Sequence, residues 1–240
     1  MTRLDFPRIL LKLSGEALMR GGDAIDAGFL RQLAIDLKAV HDAGVEVAVV
    51  VGGGNIFRGL AGSSRGMERT TADQMGMLAT VINALALQSA FQEQGLDTRV
   101  QSALFMPQVA ELYTRAGAVE HLERGRVVIF AAGTGNPLFT TDTAASLRAA
   151  EIGASCLMKA TKVDGVYAED PVRNPQAERF DRLSYDEVWN RNLGVMDMTA
   201  ITLCRDNRIP ILVFSIFQPG ALLRAVRREG SHTLIGEHHG

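Results

Sequence analysis

Short runs of apolar residues alternate along this chain with longer amphipathic segments. Uninterrupted runs rich in Val, Ile and Leu predict strands that are buried on both faces of a sheet. The predicted strands occupy residues 9–13, 45–51, 98–103, 127–132, 155–158 and 211–214; Lys12 and Glu46 interrupt the first two, and 98–103 is more polar than the rest. The order of these segments therefore predicts strands separated by other elements rather than consecutive hairpins.

The segments between the predicted strands carry helical patterns. Asp26 stands before apolar residues spaced three or four apart, and Ser184 with Glu187 forms the pattern of a capping box. Helices are predicted to start at Asp26 and at Pro219-Gly220, and to span residues 71–94, 109–123, 142–152, 184–190 and 198–207. Residues 159–177 are polar, with two prolines, and predict a loop.

Strand and helix alternate over most of the chain, which predicts a largely parallel central sheet between helices. We expect an α/β protein made of a single three-layer α/β/α domain over residues 1–240, since no repeat, linker or low-complexity tract interrupts the pattern.

Composition and charge exclude several classes of protein. The net charge is −2, so no basic surplus supports nucleic-acid binding. The longest apolar run is far shorter than the roughly 20 residues of a membrane helix, and no secretory signal pattern begins the chain. The two cysteines, Cys156 and Cys204, are expected to be buried thiols in a reducing cytoplasm.

Glycines follow three of the predicted strands. They are Gly15, the triple glycine at 52–54, and the pair Gly133 and Gly135. The carboxyl ends of parallel strands face one crevice, where glycine lets backbone N–H groups approach an anion. One such loop can be an ordinary tight turn, but three at one edge predict a site for phosphate groups.

Charged residues beside these loops suggest what the site does. Lys12 lies inside the first strand, where burial is costly without an anion partner, unless it reaches solvent from a sheet edge. Arg58 follows the triple glycine, and Lys159 and Lys162 end another strand. Asp142 could orient these lysines, although a carboxylate in the first turn of a helix needs no such role.

The pattern favours phosphoryl transfer over the other nucleotide chemistries. The P-loop and protein-kinase motifs are absent, and Leu138 replaces the third glycine of a dinucleotide fingerprint. Phosphoryl transfer requires mainly positive charge and aligned reactants, which lysines and loop amides supply. Mg²⁺ is expected to arrive with the nucleotide, with no dedicated metal site in the protein.

Six motifs in this order resemble those of the amino-acid-kinase superfamily, and within it the bacterial uridylate (UMP) kinases. They lie at residues 12–16, 52–59, 73–80, 133–137, 159–167 and 195–197, and the resemblance extends from about residue 9 to residue 235. The resemblance implies an amino-acid-kinase-like fold and transfer of a phosphoryl group from MgATP to UMP, giving UDP and ADP for pyrimidine nucleotide biosynthesis.

The resemblance also implies roles for particular residues. The catalytic residues would be Lys12, Asp142 and Lys162. The ATP site would comprise Lys12, Leu13, Ser14, Gly15, Gly54, Arg58, Thr161, Tyr167 and Asp170. The UMP site would comprise Gly53, Asp73, Thr134, Gly135, Asn136, Pro137, Leu138, Phe139, Thr140 and Thr141, with Asp73 on the ribose.

Regulation and assembly are implied in the same way. Members of the family are homohexamers that UTP inhibits and that GTP in many cases activates. The short polar segment 19–24 differs from the longer glycine-rich loop of some relatives, which leaves GTP activation open. Two alternatives remain. One is a kinase of the same superfamily that acts on a small acid, namely carbamate, acetylglutamate or aspartate. The other is a non-catalytic nucleotide- or oxyanion-binding or storage protein of the same fold.

Overall fold

The structure, a computed structural model, describes residues 5–20, 22–57 and 66–237. The strands are β1 (Arg8–Leu13), β2 (Glu46–Val51), β3 (Thr98–Ser102), β4 (Glu111–Leu112), β5 (Val127–Ala131), β6 (Cys156–Thr161), β7 (Val166–Tyr167), β8 (Arg179–Phe180), β9 (Arg182–Ser184), β10 (Ile211–Ser215) and β11 (Thr233–Gly236). The helices are α1 (Ala27–Asp42), α2 (Arg69–Glu93), α3 (Arg115–Glu123), α4 (Thr141–Ile152), α5 (Tyr185–Asn190), α6 (Met198–Asp206) and α7 (Ala221–Val226).

One sheet runs through the described residues in the order β4-β3-β5-β2-β1-β6-β10-β11-β9. Its neighbouring strands are parallel, except that β10 and β11 are antiparallel. Apolar side chains of α1, α2 and α7 pack on one face, and those of α3 to α6 pack on the other. The predicted three-layer α/β/α architecture with a largely parallel sheet is confirmed.

Local sequence signals explain where several elements begin. The Asp26 carboxylate accepts a hydrogen bond from the Phe29 N–H and caps α1. Ser184 and Glu187 form the complete capping box before α5. In β1, Ile9 and Leu11 point into one core and Leu10 into the other, as expected of a central strand.

The structure corrects two predicted elements. Residues 109–123 do not form one helix: β4 pairs with β3 at the sheet edge, and α3 begins after Thr114, whose hydroxyl accepts from the Gly117 N–H at 3.1 Å. The predicted loop 159–177 contains the end of β6 and all of β7, which pairs with β8 as an antiparallel ribbon. Strands β9 and β11 were not predicted.

This topology decides where the chemistry lies. The strands β5, β2, β1 and β6 are consecutive neighbours and parallel, so their carboxyl ends reach the same edge of the sheet. The three glycine loops and the start of α4 therefore meet above the middle of the sheet. Within the described residues, no helix combines the length and apolar character that crossing a bilayer requires.

Candidate active site

The glycine loops after β1 and β2 pack directly against each other. A Cβ atom on Gly15 would lie 2.5 Å from Asn55 Oδ1 and 2.6 Å from the Gly54 nitrogen. A Cβ atom on Gly53 would lie 2.7 Å from the Gly76 carbonyl oxygen in α2. These separations are too short for any larger residue, so glycine brings the two loops and α2 into contact.

A buried cluster of two lysines and one aspartate lies beneath these loops. Lys12 in β1 and Lys159 in β6 are register partners, so their side chains leave the sheet on the same face. Asp142, in the first turn of α4, lies between them, with Lys12 Nζ 2.7 Å from Oδ1 and Lys159 Nζ 2.9 Å from Oδ2. Lys12 is only 7% exposed, because β1 is a central strand of the sheet.

The electrostatics of this cluster favour an anionic ligand. Burial raises the pKa of Asp142, but the ammonium groups of Lys12 and Lys159 outweigh burial and hold that pKa below its usual value. Burial lowers the pKa of Lys159, and the nearby Lys12 adds to this effect, while Asp142 opposes it. With both lysines charged, the cluster carries one net positive charge, which a phosphate group can neutralise.

Lys162, predicted to be catalytic together with Lys12 and Asp142, does not lie beside Asp142 in the structure. Lys162 follows the last residue of β6, its side chain is 67% exposed, and its Nζ lies 3.9 Å from Glu16 Oε2. Lys159 occupies the position beside Asp142 because its place in the strand directs its side chain onto the α4 face. Sequence reasoning noted Lys159 but not its register with Lys12, which only the sheet reveals.

A cavity of about 440 Å³ opens between α2 and the loop that follows β5. Its wall contains the predicted residues Gly53, Asp73, Thr134, Asn136, Phe139, Thr140 and Thr141. Gly54, predicted for the ATP site, lines this cavity as well. Gly135, Pro137 and Leu138 belong to the loop around the cavity but do not line it. Residues that sequence reasoning missed also line it, namely Phe57, Arg69, Gly76, Met77, Thr80 and Gly133.

Asp73 joins α2 to the loop that follows β5. Its carboxylate forms an ion pair with Arg69 one helical turn away, at 2.8 Å, and accepts from the Leu138 N–H at 2.9 Å. Leu138 has a φ of 72°, an unusual value for a residue other than glycine. The helical spacing of Arg69 and Asp73 could have indicated this pair from sequence.

The end of this loop starts α4. The Thr140 hydroxyl accepts from the Thr143 N–H at 3.1 Å and donates to the Asp197 carboxylate. Asp197 in turn caps α6 by accepting from the Ala200 N–H at 3.0 Å. The motif at 195–197 is thereby connected to the site, and the Val195 carbonyl accepts from Lys159 Nζ.

A second cavity, of about 450 Å³, lies on the other side of the cluster. It brings together the predicted ATP-site residues Thr161, Tyr167 and Asp170, and Lys159 forms part of its wall. Gly165 and Val166 also contribute to it. Arg58, the remaining cation predicted for the ATP site, lies outside the described residues.

The sheet order, the glycine loops and the lysine cluster define a phosphotransferase of the amino acid kinase type. Residues 7–215 match the amino acid kinase family, and the chain belongs to that family.

The relatives are more specific. A curated uridylate kinase from Magnetococcus marinus is 61% identical over 232 residues, and one from Paramagnetospirillum magneticum is 57% identical over 231, each match covering 96% of both chains. Among solved structures, UMP kinase from Bacillus anthracis is 38% identical with a TM-score of 0.93, covering 96% of each chain. UMP kinase from Ureaplasma parvum is 37% identical with a TM-score of 0.91, covering 96% of this chain and 98% of its own.

Proposed function

We propose that this chain is a uridylate kinase: residues 1–240 act as a single domain that transfers the γ-phosphoryl group of MgATP to UMP. A phosphate oxygen of UMP bonds to the γ-phosphorus while the bond to the ADP oxygen breaks, giving UDP and ADP. The observation that carries the proposal is the buried cluster of Lys12, Asp142 and Lys159 between two cavities. The uridylate kinase relatives support it.

The cluster suits the charge requirements of this reaction. Phosphoryl transfer spreads negative charge over the transferred group, and fixed cations in a water-poor site stabilise that charge. We assign this role to Lys12 and Lys159, with Asp142 holding the two ammonium groups in place. Loop amides of residues 12–15 and 53–54 would contribute further donors, and Mg²⁺ would enter as part of the MgATP substrate.

The two cavities would separate donor and acceptor. The cavity beside the β7–β8 ribbon would take the adenosine of ATP, with Thr161, Tyr167 and Asp170 on its wall. The cavity between α2 and the loop at 133–141 would take UMP. Asp73 would bind the ribose hydroxyls, since two carboxylate oxygens suit two neighbouring hydroxyl groups, and Arg69 would face the anionic acceptor.

Lys162 keeps a predicted role at the edge of the site. Its exposed side chain next to Glu16 could turn toward a bound nucleotide, whereas Lys159 is already fixed on Asp142. The alternative of a non-catalytic binding or storage protein is not favoured, because the relatives are uridylate kinases and because Lys12, Asp142 and Lys159 are all present and paired.

Regulation and assembly remain predictions from the family resemblance. They comprise a homohexamer, inhibition by UTP, activation by GTP and a cytoplasmic location. The short segment 19–24, which differs from relatives with a longer glycine-rich loop, keeps GTP activation the least supported of these.

The test is ADP release from MgATP with one acceptor at a time: UMP, CMP, dUMP, carbamate, acetylglutamate and aspartate. We expect rapid release with UMP and little with the three small acids, because they have no ribose for Asp73. Release that depends on a small acid instead of UMP would replace the proposal with a different kinase of the family. Folded protein that binds nucleotide but never releases ADP would support the storage alternative.

A further inference from the structure

Two consecutive residues leave the end of β5 in the left-handed conformation. Ala132 has a φ of 62° and Gly133 a φ of 59°. Glycine adopts this conformation freely, but alanine does so rarely, and Ala132 is fully buried. The turn is the start of the loop at 133–141, so its geometry sets the direction in which that loop leaves the sheet.

Side chains from opposite faces of the sheet hold this turn. On the α2 face, the Thr80 hydroxyl accepts from the Ala132 N–H at 2.8 Å and donates to the Met77 carbonyl at 2.7 Å. On the α4 face, Arg148 Nη2 donates to the Gly133 carbonyl at 3.3 Å. The backbone amide of one residue and the carbonyl of the next are thus each bound by a side chain from a different helix.

Arg148 is itself held rigidly. It is 4% exposed, its Nη1 lies 2.6 Å from Glu151 Oε2, and its guanidinium carbon lies 3.7 Å above the centre of the Tyr113 ring. The Tyr113 hydroxyl donates to Glu151 at 2.5 Å. Burial and this hydrogen bond raise the pKa of Tyr113 to about 12, so the phenol stays a donor at neutral pH.

We propose that Thr80 and Arg148 are positioning residues that fix the left-handed turn at 132–133 and so preset the acceptor loop 133–141 for UMP. This inference rests on the proposed function. Thr80 lines the acceptor cavity, but its hydroxyl is used by Met77 and Ala132, and Arg148 lies beneath the loop, so both act through the turn rather than through a hydrogen bond to the substrate. The wall of the acceptor cavity then depends on Thr80, at the end of the motif at 73–80, and on Arg148, which lies outside the motifs that identify the site.

The test compares variants of the full-length protein in steady-state kinetics with UMP and ATP varied separately. T80V removes the hydroxyl at nearly constant volume and leaves the Ala132 amide unpaired, whereas T80S keeps the hydroxyl. R148K keeps the charge but replaces the guanidinium group, whose two Nη atoms bind Glu151 and the Gly133 carbonyl, with a single ammonium nitrogen. Y185F serves as a control, because it removes another buried hydrogen bond, from Tyr185 to the Ile209 carbonyl, toward the β9 edge of the sheet and away from β5.

We expect T80V and R148K to raise the KM for UMP by about tenfold, the order that one unsatisfied buried group allows, while the KM for ATP stays unchanged. T80S keeps the hydroxyl and should therefore restore most of the UMP affinity lost in T80V, and Y185F should lower only the thermal midpoint. Calorimetric titration should show the same loss of UMP binding without turnover.

The inference is overturned if T80V and R148K keep the parental KM for UMP. It is also overturned if the KM for UMP and the KM for ATP rise together, as expected of a general loss of stability. If R148K does not fold, the comparison of T80V with T80S decides alone. A folded parent that does not phosphorylate UMP would contradict the proposed function. An active parent whose variants keep the parental KM for UMP would contradict the positioning role alone.

Discussion

Replacing Asp142 by asparagine should destabilise the protein strongly, because it leaves two buried ammonium groups without their shared counter-charge. At an effective dielectric constant of about 20, a pair 2.7 Å apart attracts by about 6 kcal/mol before desolvation is subtracted. Removal of one partner from a buried ion pair typically costs about 3–5 kcal/mol. We expect about 3 kcal/mol for D142N, since the amide oxygen can still accept one hydrogen bond and Lys159 retains the Val195 carbonyl.

Urea unfolding followed by circular dichroism measures this loss as a lower midpoint at unchanged slope. The matched control is D26N, the same carboxylate-to-amide change at a helix cap, where asparagine serves as well as aspartate. That variant should stay within about 0.5 kcal/mol of the parent. If D142N lost no more unfolding free energy than D26N, Asp142 would not be neutralising two buried ammonium groups, and the reasoning would be refuted.

Four further predictions follow from the same geometry. K12M should lower kcat by about 10²–10³ while changing the urea midpoint much less, since Asp142 keeps Lys159; an unchanged kcat would remove Lys12 from the chemistry. D73N should reduce the preference for UMP over dUMP in kcat/KM by about tenfold, and an unaltered preference would exclude Asp73 as the ribose ligand. G15A should lose about 1–3 kcal/mol in urea, because the new Cβ would overlap the neighbouring glycine loop, and full stability would show that the loops can separate. Folding lowers the pKa of Asp142, so the stability that this carboxylate contributes should be present above its unfolded pKa of about 4 and be lost as pH falls through the folded pKa. Folding also lowers the pKa of Lys159, so stability should rise with pH between that folded pKa and the unfolded pKa of about 10. Thermal midpoints measured from neutral pH down through and below pH 4 should show a steeper acid limb for the parent than for D142N, and identical acid limbs would contradict this assignment.

Much of the fold could be predicted because local sequence and tertiary environment agree. The central strands are runs of apolar residues buried on both faces, and α1 and α5 carry explicit caps. The strands β4, β9 and β11 are two to four residues long, and β9 pairs with β11 across a long stretch of sequence. Such elements have no periodicity of their own, so only the assembled sheet defines them.

The site was predictable to a similar extent. Glycine loops and a lysine inside a strand are local signals, and they pointed to Lys12 and to the edge of the sheet where the candidate site lies. The choice between Lys159 and Lys162 depends on strand register, which the sequence does not state. Thr80 ends the motif at 73–80 and Arg148 lies outside every motif, but their contacts with the turn at 132–133 exist only after both helices pack on the sheet.

The most direct test of the central claim follows the transferred group itself. ATP labelled in its γ-phosphate is incubated with Mg²⁺, UMP and the protein, and the products are separated, with K12M as the control. We predict that the label moves into the β-phosphate of UDP with the parent and far more slowly with K12M. Label that stays in ATP, or that is released only as inorganic phosphate, would contradict the assignment of this chain as a uridylate kinase.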